Sequence, residues 1–189
     1  MYLMILGAPG SGKGTQGKLL AEHLGIPQIS TGELLRAAVQ QGTPLGRQAK
    51  DYMDQGLLVP DDVVLGLIRQ ILDSREGARG VLMDGFPRTV PQATAVDRML
   101  ADRRARVDPV LLLEVAEDEL VRRLLGRAAK EGRSDDNPES IKQRLKVYHE
   151  QTAPLVAHYD RQGVVKRVAG TGEVNEIQGR VRKAVGAGA

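Results

Sequence analysis

Lys13, Asp84 and Arg88 stand in settings suited to phosphate chemistry. The stretch Gly7-Ala-Pro-Gly-Ser-Gly-Lys-Gly-Thr15 follows an apolar run, Tyr2–Leu6, and precedes an amphipathic stretch, Lys13–Leu24. The common phosphate-loop pattern is G-x-x-x-x-G-K followed at once by Ser or Thr. Gly7, Gly12 and Lys13 fall into that register, but Gly14 occupies the hydroxyl position and Thr15 comes one residue late. Glycines let backbone N–H groups curl around an anion, and the N-terminus of the helix adds favourable partial charge. Lys13 would then reach the β and γ phosphates of a bound nucleotide.

The second stretch is Val81-Leu-Met-Asp-Gly-Phe-Pro-Arg88. Asp84 ends an apolar strand, the place where open α/β sheets put their ligand sites. Beside a phosphate loop, its carboxylate is expected to face Mg²⁺ through water. Arg88, four residues on, carries the fork that binds phosphate bidentately.

These residues need a scaffold, and the hydropathy pattern describes one. Strands are expected at Tyr2–Leu6, Gln28–Ile29, Val81–Met83, Val110–Val115 and Val164–Val168. Three of them are uninterrupted apolar runs, as expected of strands covered on both faces. Helices are expected at Lys13–Leu24, Asp61–Asp73, Thr89–Arg103, Glu117–Leu125, Pro138–Arg161 and Glu173–Val185. The alternation predicts a parallel α/β sheet. Two segments fall outside that scheme. Residues 30–59 hold short helical patterns around Leu34–Gln40 and Leu45–Met53 with no strand, and residues 126–136 are polar and glycine-flanked. Both read as excursions from a core made of 1–29, 60–125 and 137–189.

Composition narrows the function. The chain has 189 residues, 41% hydrophobic and 27% charged, the balance of a globular domain. No apolar run approaches the ~18 residues of a spanning helix, so no membrane partner is expected. The absence of cysteine excludes disulfides and thiolate metal sites and suits a reducing cytoplasm. A net charge of +3, one Phe and four Tyr offer little for nucleic-acid binding. Arginine outnumbers lysine 19 to 8, and arginine is the better bidentate phosphate ligand.

Taken in order, GAPGSGKGT, STGELLR (Ser30–Arg36), LVP (Leu58–Pro60), DGFPRTVPQ (Asp84–Gln92), GR-x4-GRSDD (Gly126–Asp136) and RLKVYHEQTAPL (Arg144–Leu155) resemble the adenylate kinases of the nucleoside monophosphate kinase family over nearly the whole chain. In that family Gly14 is normal, so the glycine loop is a variant and not a defect. The resemblance implies a three-layer P-loop NTPase fold with a five-stranded parallel sheet. It implies reversible Mg²⁺-dependent transfer of the terminal phosphoryl group of ATP to AMP, giving two ADP, in a cytoplasmic monomer.

It also assigns residues. Gly10, Ser11, Gly12, Lys13, Gly14, Thr15, Arg123, Arg127 and Gly172 would bind ATP. Thr31, Arg36, Leu57, Leu58, Val59, Gly85, Phe86, Pro87, Arg88, Gln92, Arg133 and Arg144 would bind AMP in and around an AMP domain at 30–59. The segment 126–136 would be a short lid without structural zinc. Lys13, Arg88, Arg127, Arg133, Arg144 and Asp84 would carry the catalysis, with Asp84 facing the metal through water. Gln92 lies four residues beyond Arg88, and its amide matches the donor and acceptor edge of adenine. Asp135 and Asp136 precede a helix, where capping alone explains them and orienting the lid arginines is a second possible role. Arg122, Arg103, Arg104 and Arg106 belong to solvated faces, and His149 and His158 receive no chemical role. Two other readings stay open at this point: a kinase of the same family acting on UMP or CMP, and a phosphate-loop switch that binds a partner and hydrolyses slowly.

Overall fold

The computed structural model describes residues 1–75, 77–131 and 136–186. Its elements run in chain order as β1 (Tyr2–Leu6), α1 (Lys13–Leu24), β2 (Gln28–Ser30), α2 (Thr31–Gln40), α3 (Pro44–Asp54), α4 (Asp61–Asp73), β3 (Val81–Asp84) and α5 (Val90–Ala101). They continue as β4 (Val107–Glu114), α6 (Glu117–Glu131), α7 (Pro138–Val147), a π-helical turn (Tyr148–Thr152), α8 (Pro154–Asp160), β5 (Val165–Ala169) and α9 (Val174–Ala184). The strands form one parallel sheet ordered β2-β3-β1-β4-β5.

Side chains along a strand alternate between the faces of a sheet, and β1 shows where each face goes. Tyr2, Met4 and Leu6 join Val81, Met83, Val110 and Leu112 in one cluster with residues of α4, α5 and α8. Leu3 and Ile5 join Leu82, Leu111 and Leu113 in another with residues of α1 and α9. Helices on both faces explain the unbroken apolar runs and make three layers. From the central β1 the chain visits β2 and β3 on one side before crossing to β4 and β5. The reversal leaves a crevice beyond the carboxyl ends of β1 and β3, the expected ligand position in such sheets.

Residues 31–54 are two helices with no strand of their own, as expected. They cross closely: a Cβ on Gly46 would stand 2.0 Å from the Ala38 carbonyl oxygen. Leu35 and Ala49 are buried in the larger core cluster, so the excursion is packed onto the sheet's helical layer.

Strand β4 starts three residues earlier than expected, at Val107, and two helices differ in extent. Helix α6 continues past Leu125 to Glu131, because Gly126 lies within an otherwise good helical run and one glycine is tolerated there at about 1 kcal/mol. The single helix expected over Pro138–Arg161 is interrupted. Pro154 lacks the N–H that would bond the Glu150 carbonyl, and its ring crowds the preceding turn. The helix widens there instead: Ala153 N–H donates to the Tyr148 carbonyl at 2.8 Å, a π-type bond, and α8 restarts with Pro154 in its first turn.

Candidate active site

The phosphate loop begins where β1 ends. Gly10 and Gly12 have φ of 85° and 88°, a left-handed backbone that favours glycine. A Cβ on Gly10 would also meet the Leu120 carbonyl oxygen at 2.8 Å. The turn closes through Ser11 N–H to the Ala8 carbonyl at 3.1 Å and delivers Lys13 to the head of α1. Lys13 Nζ donates to the same Ala8 carbonyl at 3.2 Å. Burial pushes the Lys13 ammonium down to about 8; the neighbouring Asp84 carboxylate opposes this, and the Arg88, Arg144 and Arg127 charges add to it.

Asp84 ends β3 directly beneath Gly14. It is 5% exposed. Its Oδ2 accepts from Gln28 Nε2 at 3.3 Å, and the same amide nitrogen donates to the Gly14 carbonyl at 3.2 Å. A Cβ on Gly14 would lie 3.5 Å from Oδ2, so the missing side chain keeps the space above the carboxylate open. Asp84 Oδ1 is buried with no partner among the described residues. An orphaned carboxylate oxygen at the floor of a phosphate site fits a hydrated divalent cation, since hard cations take oxygen ligands and Mg²⁺ retains several waters. Among the described residues no group of three or more His, Cys, Asp or Glu side chains converges to hold a metal directly.

Three cavities meet at Gly85, Arg88 and Arg144. The first is lined by Gly10, Gly12, Lys13, Gly14, Thr15, Asp84, Arg123 and Arg127, together with Arg36. The second is lined by Thr31, Arg36, Leu57, Leu58, Val59, Phe86 and Gln92. The third, between them, adds Pro87 and Lys13 to Val147, Tyr148 and Thr152. Most residues expected around two nucleotides therefore line one branched basin with arginines at its junction. Ser11 is buried under the loop, and its hydroxyl has no partner among the described residues. Gly172 stands outside the three cavities, exposed ahead of α9. Arg133 and Asp135 lie outside the described residues.

The arginines are held from behind. Asp136, 1% exposed, accepts from Arg127 Nε and a terminal nitrogen at 2.6 and 2.8 Å, and from Arg144 at 2.6 Å. Burial raises the Asp136 carboxyl, but the hydrogen bonds and charges of Arg127 and Arg144 outweigh it and hold it below its ordinary value. Capping falls to Asn137, whose side chain accepts from Ser140 N–H at 2.9 Å. Asp136 thus has the orienting role alone. Arg123 pairs with Glu119 at 2.6 Å. Hydrogen bonds from Arg122 and then Arg123 pull the half-buried Glu119 carboxyl down to about 2.

The Gln92 amide is already engaged. Its Oε1 accepts from Arg88 N–H at 2.7 Å and its Nε2 donates to Asp61 Oδ1 at 2.6 Å. One lone pair and one N–H remain for a ligand in the cavity it lines. In the sequence Asp61 is only the first residue of an expected helix, and Gln28 and Thr152 carry no assignment. No local pattern marks them, because their partners lie 31, 56 and 64 residues away.

A parallel sheet with a phosphate loop on β1, a buried aspartate on β3 and a fork of arginines over both defines a P-loop phosphotransferase with two substrate arms. The family model for adenylate kinase matches residues 5–164. Adenylate kinases of Thermus thermophilus and Parabacteroides distasonis are 51% and 49% identical over 184 and 185 residues. Those alignments cover 97% and 98% of this chain, and 96% and 97% of the relatives. That of Leptospira biflexa is 50% identical over 183 residues, 97% of this chain and 98% of its own. The chain belongs to the adenylate kinase family: it is an enzyme that exchanges a phosphoryl group between adenine nucleotides, ATP + AMP ⇌ 2 ADP.

Proposed function

We propose that ATP lies along the phosphate loop with its base toward Arg123, and that AMP enters the arm lined by Thr31, Arg36, Leu57, Leu58, Val59 and Gln92. The observation that carries this reading is the meeting of both arms at Arg88 and Arg144. There the terminal phosphate of one nucleotide faces the phosphate of the other. Phosphoryl transfer needs in-line positioning and charge neutralisation more than covalent help. The acceptor phosphate is already an anionic nucleophile, so no general base is required. Lys13, Arg36, Arg88, Arg127, Arg133 and Arg144 supply the positive charge. Asp84 is the residue that would hold Mg²⁺ through water, and when bound the ion shares the charge of the β and γ phosphates.

Lys13 is cationic at neutral pH with its value near 8, and an arriving polyphosphate favours that form further. Asp136 keeps Arg127 and Arg144 aimed before substrate arrives, which lowers the reorganisation left for the reaction itself. Residues 30–59 act as the AMP domain and 126–136 as the lid, and their closure excludes water and strengthens each charge contact. The enzyme works as a cytoplasmic monomer. A panel of ATP with AMP, UMP, CMP and GMP, read as diphosphate formed, tests the acceptor assignment. AMP is expected to be preferred by at least tenfold, and equal use of a pyrimidine monophosphate would overturn it.

A further inference from the structure

Arg88 is held by its backbone as well as by its side chain. Its N–H donates to Gln92 Oε1 at 2.7 Å, and its carbonyl accepts from Thr152 Oγ1 at 2.9 Å. Its own Nε donates to the Gly85 carbonyl at 2.7 Å. The Gln92 amide cannot reverse, because Nε2 donates to Asp61 Oδ1 and an ionised carboxylate only accepts. That leaves the amide oxygen facing Arg88. On the other side, Thr152 is the buried member of the π-helical turn. Threonines in helices commonly bond back to their own preceding carbonyl; this one reaches across to Arg88 instead. Single π-turns of this kind occur frequently at functional sites.

We infer that Thr152 and Asp61 are positioning residues for the acceptor site, fixing the Arg88 backbone from opposite sides so that its guanidinium meets the acceptor phosphate in one orientation. The chain of contacts runs from α4 through α5 to Arg88 and on to the turn before α8, so one arginine is referenced to three parts of the core. The inference rests on the assignment of Arg88 to the acceptor phosphate.

The test compares Thr152→Val, which keeps the volume and removes the hydroxyl, with Thr152→Ser, which keeps it, and with Asp61→Ala, which removes the acceptor of the Gln92 amide. Loss of one such hydrogen bond corresponds to roughly three- to tenfold. Thr152→Val is expected to raise KM for AMP by about that factor with KM for ATP within twofold, and Thr152→Ser to restore AMP binding. Asp61→Ala is expected to shift KM for AMP in the same direction. The inference is overturned if Val and Ser behave alike, or if KM for ATP and AMP rise together. If Thr152→Val does not fold, an unchanged KM for AMP in Asp61→Ala overturns it. Arg88→Ala separates the two layers. If that variant leaves KM for AMP unchanged, the acceptor assignment fails; if it raises KM while Thr152→Val does not, only the positioning inference fails.

Discussion

Asp136 takes both prongs of the Arg127 guanidinium, at 2.6 and 2.8 Å, with its carboxylate wholly withdrawn from solvent. A buried charge is tolerable only when it is paired and hydrogen-bonded, and Arg144 completes the set from α7. One carboxylate therefore joins α6 to α7.

Replacing it should cost both stability and rate. Asp136→Asn leaves two partly buried arginines sharing an amide that offers one acceptor atom. Removing one member of a buried ionic group destabilises by about 3 kcal/mol or more, measurable by urea unfolding at pH 7. The sign of the pH dependence follows from a folded value held below the ordinary 3.8. The stabilisation is fully present above 3.8 and is lost as pH falls through the lower folded value. The gap between the two proteins should therefore be constant from pH 5 to 7 and narrow below 3.8. A gap independent of pH down to acid unfolding would show that the charge is not the cause.

Lys13 makes a prediction about protons. With its value near 8 in the free enzyme, it is largely neutral at pH 9. A polyphosphate beside it favours the ammonium form, so ATP binding at pH 9 should take up close to one proton. Calorimetry in two buffers of different ionisation enthalpy reads this directly. Lys13→Arg stays charged across that range and should bind without the uptake. Equal uptake in both proteins would move the titration to another group.

The sheet was legible from hydropathy because its strands are covered on both faces, so β1 and β3 read as unbroken apolar runs. Helices α1 and α4 were legible to the residue: Leu24 is followed by the left-handed Gly25, and Asp61 follows Pro60. The break before α8 was not. Pro154 was visible, but proline in a helix permits a kink, a stop or a widened turn, and tertiary contact through Thr152 selects among them. The sequence offered Asp136 as a helix cap and did not single out Asn137, which takes that role, for a related reason. Both have cap-competent side chains, and only the position of Arg127 and Arg144 in space separates their tasks. Arg122 and Arg106 behave as expected of surface residues, each in an ion pair with a nearby acid, whereas Arg103 is half-buried, paired with Asp73 and donating to the Met99 carbonyl.

Asp84 carries the prediction about metal. Its Oδ1 has no partner among the described residues, so the atom is available to water around a cation. Groups that orient a metal through water typically contribute 10- to 100-fold. Asp84→Asn should lower turnover by about that factor and raise the Mg²⁺ concentration at half activity, while binding of metal-free ATP changes little. A variant with the wild-type Mg²⁺ profile would remove Asp84 from the metal site.

Gly14 leads to the last prediction, which returns to the displaced hydroxyl of the loop. The common phosphate-loop pattern puts Ser or Thr at this position to hold the metal. Here a Cβ would lie 3.5 Å from Asp84 Oδ2, an ordinary contact, and no left-handed backbone is involved. Gly14→Ala should therefore fold and keep most activity. Gly14→Ser adds an oxygen beyond that Cβ, within hydrogen-bonding reach of the carboxylate. Its hydroxyl would donate to Oδ2 and compete with Gln28 Nε2, which now holds that oxygen at 3.3 Å. A hydrogen bond of this charged kind contributes about 1.5–3 kcal/mol, enough to draw Asp84 away from metal-bound water. The serine variant is thus expected to be less active than the alanine variant, with a higher Mg²⁺ requirement, although its loop looks closer to the common pattern. If serine instead matches or exceeds wild type at limiting Mg²⁺, the hydroxyl has become a metal ligand, and the space above Asp84 is not what Gly14 protects.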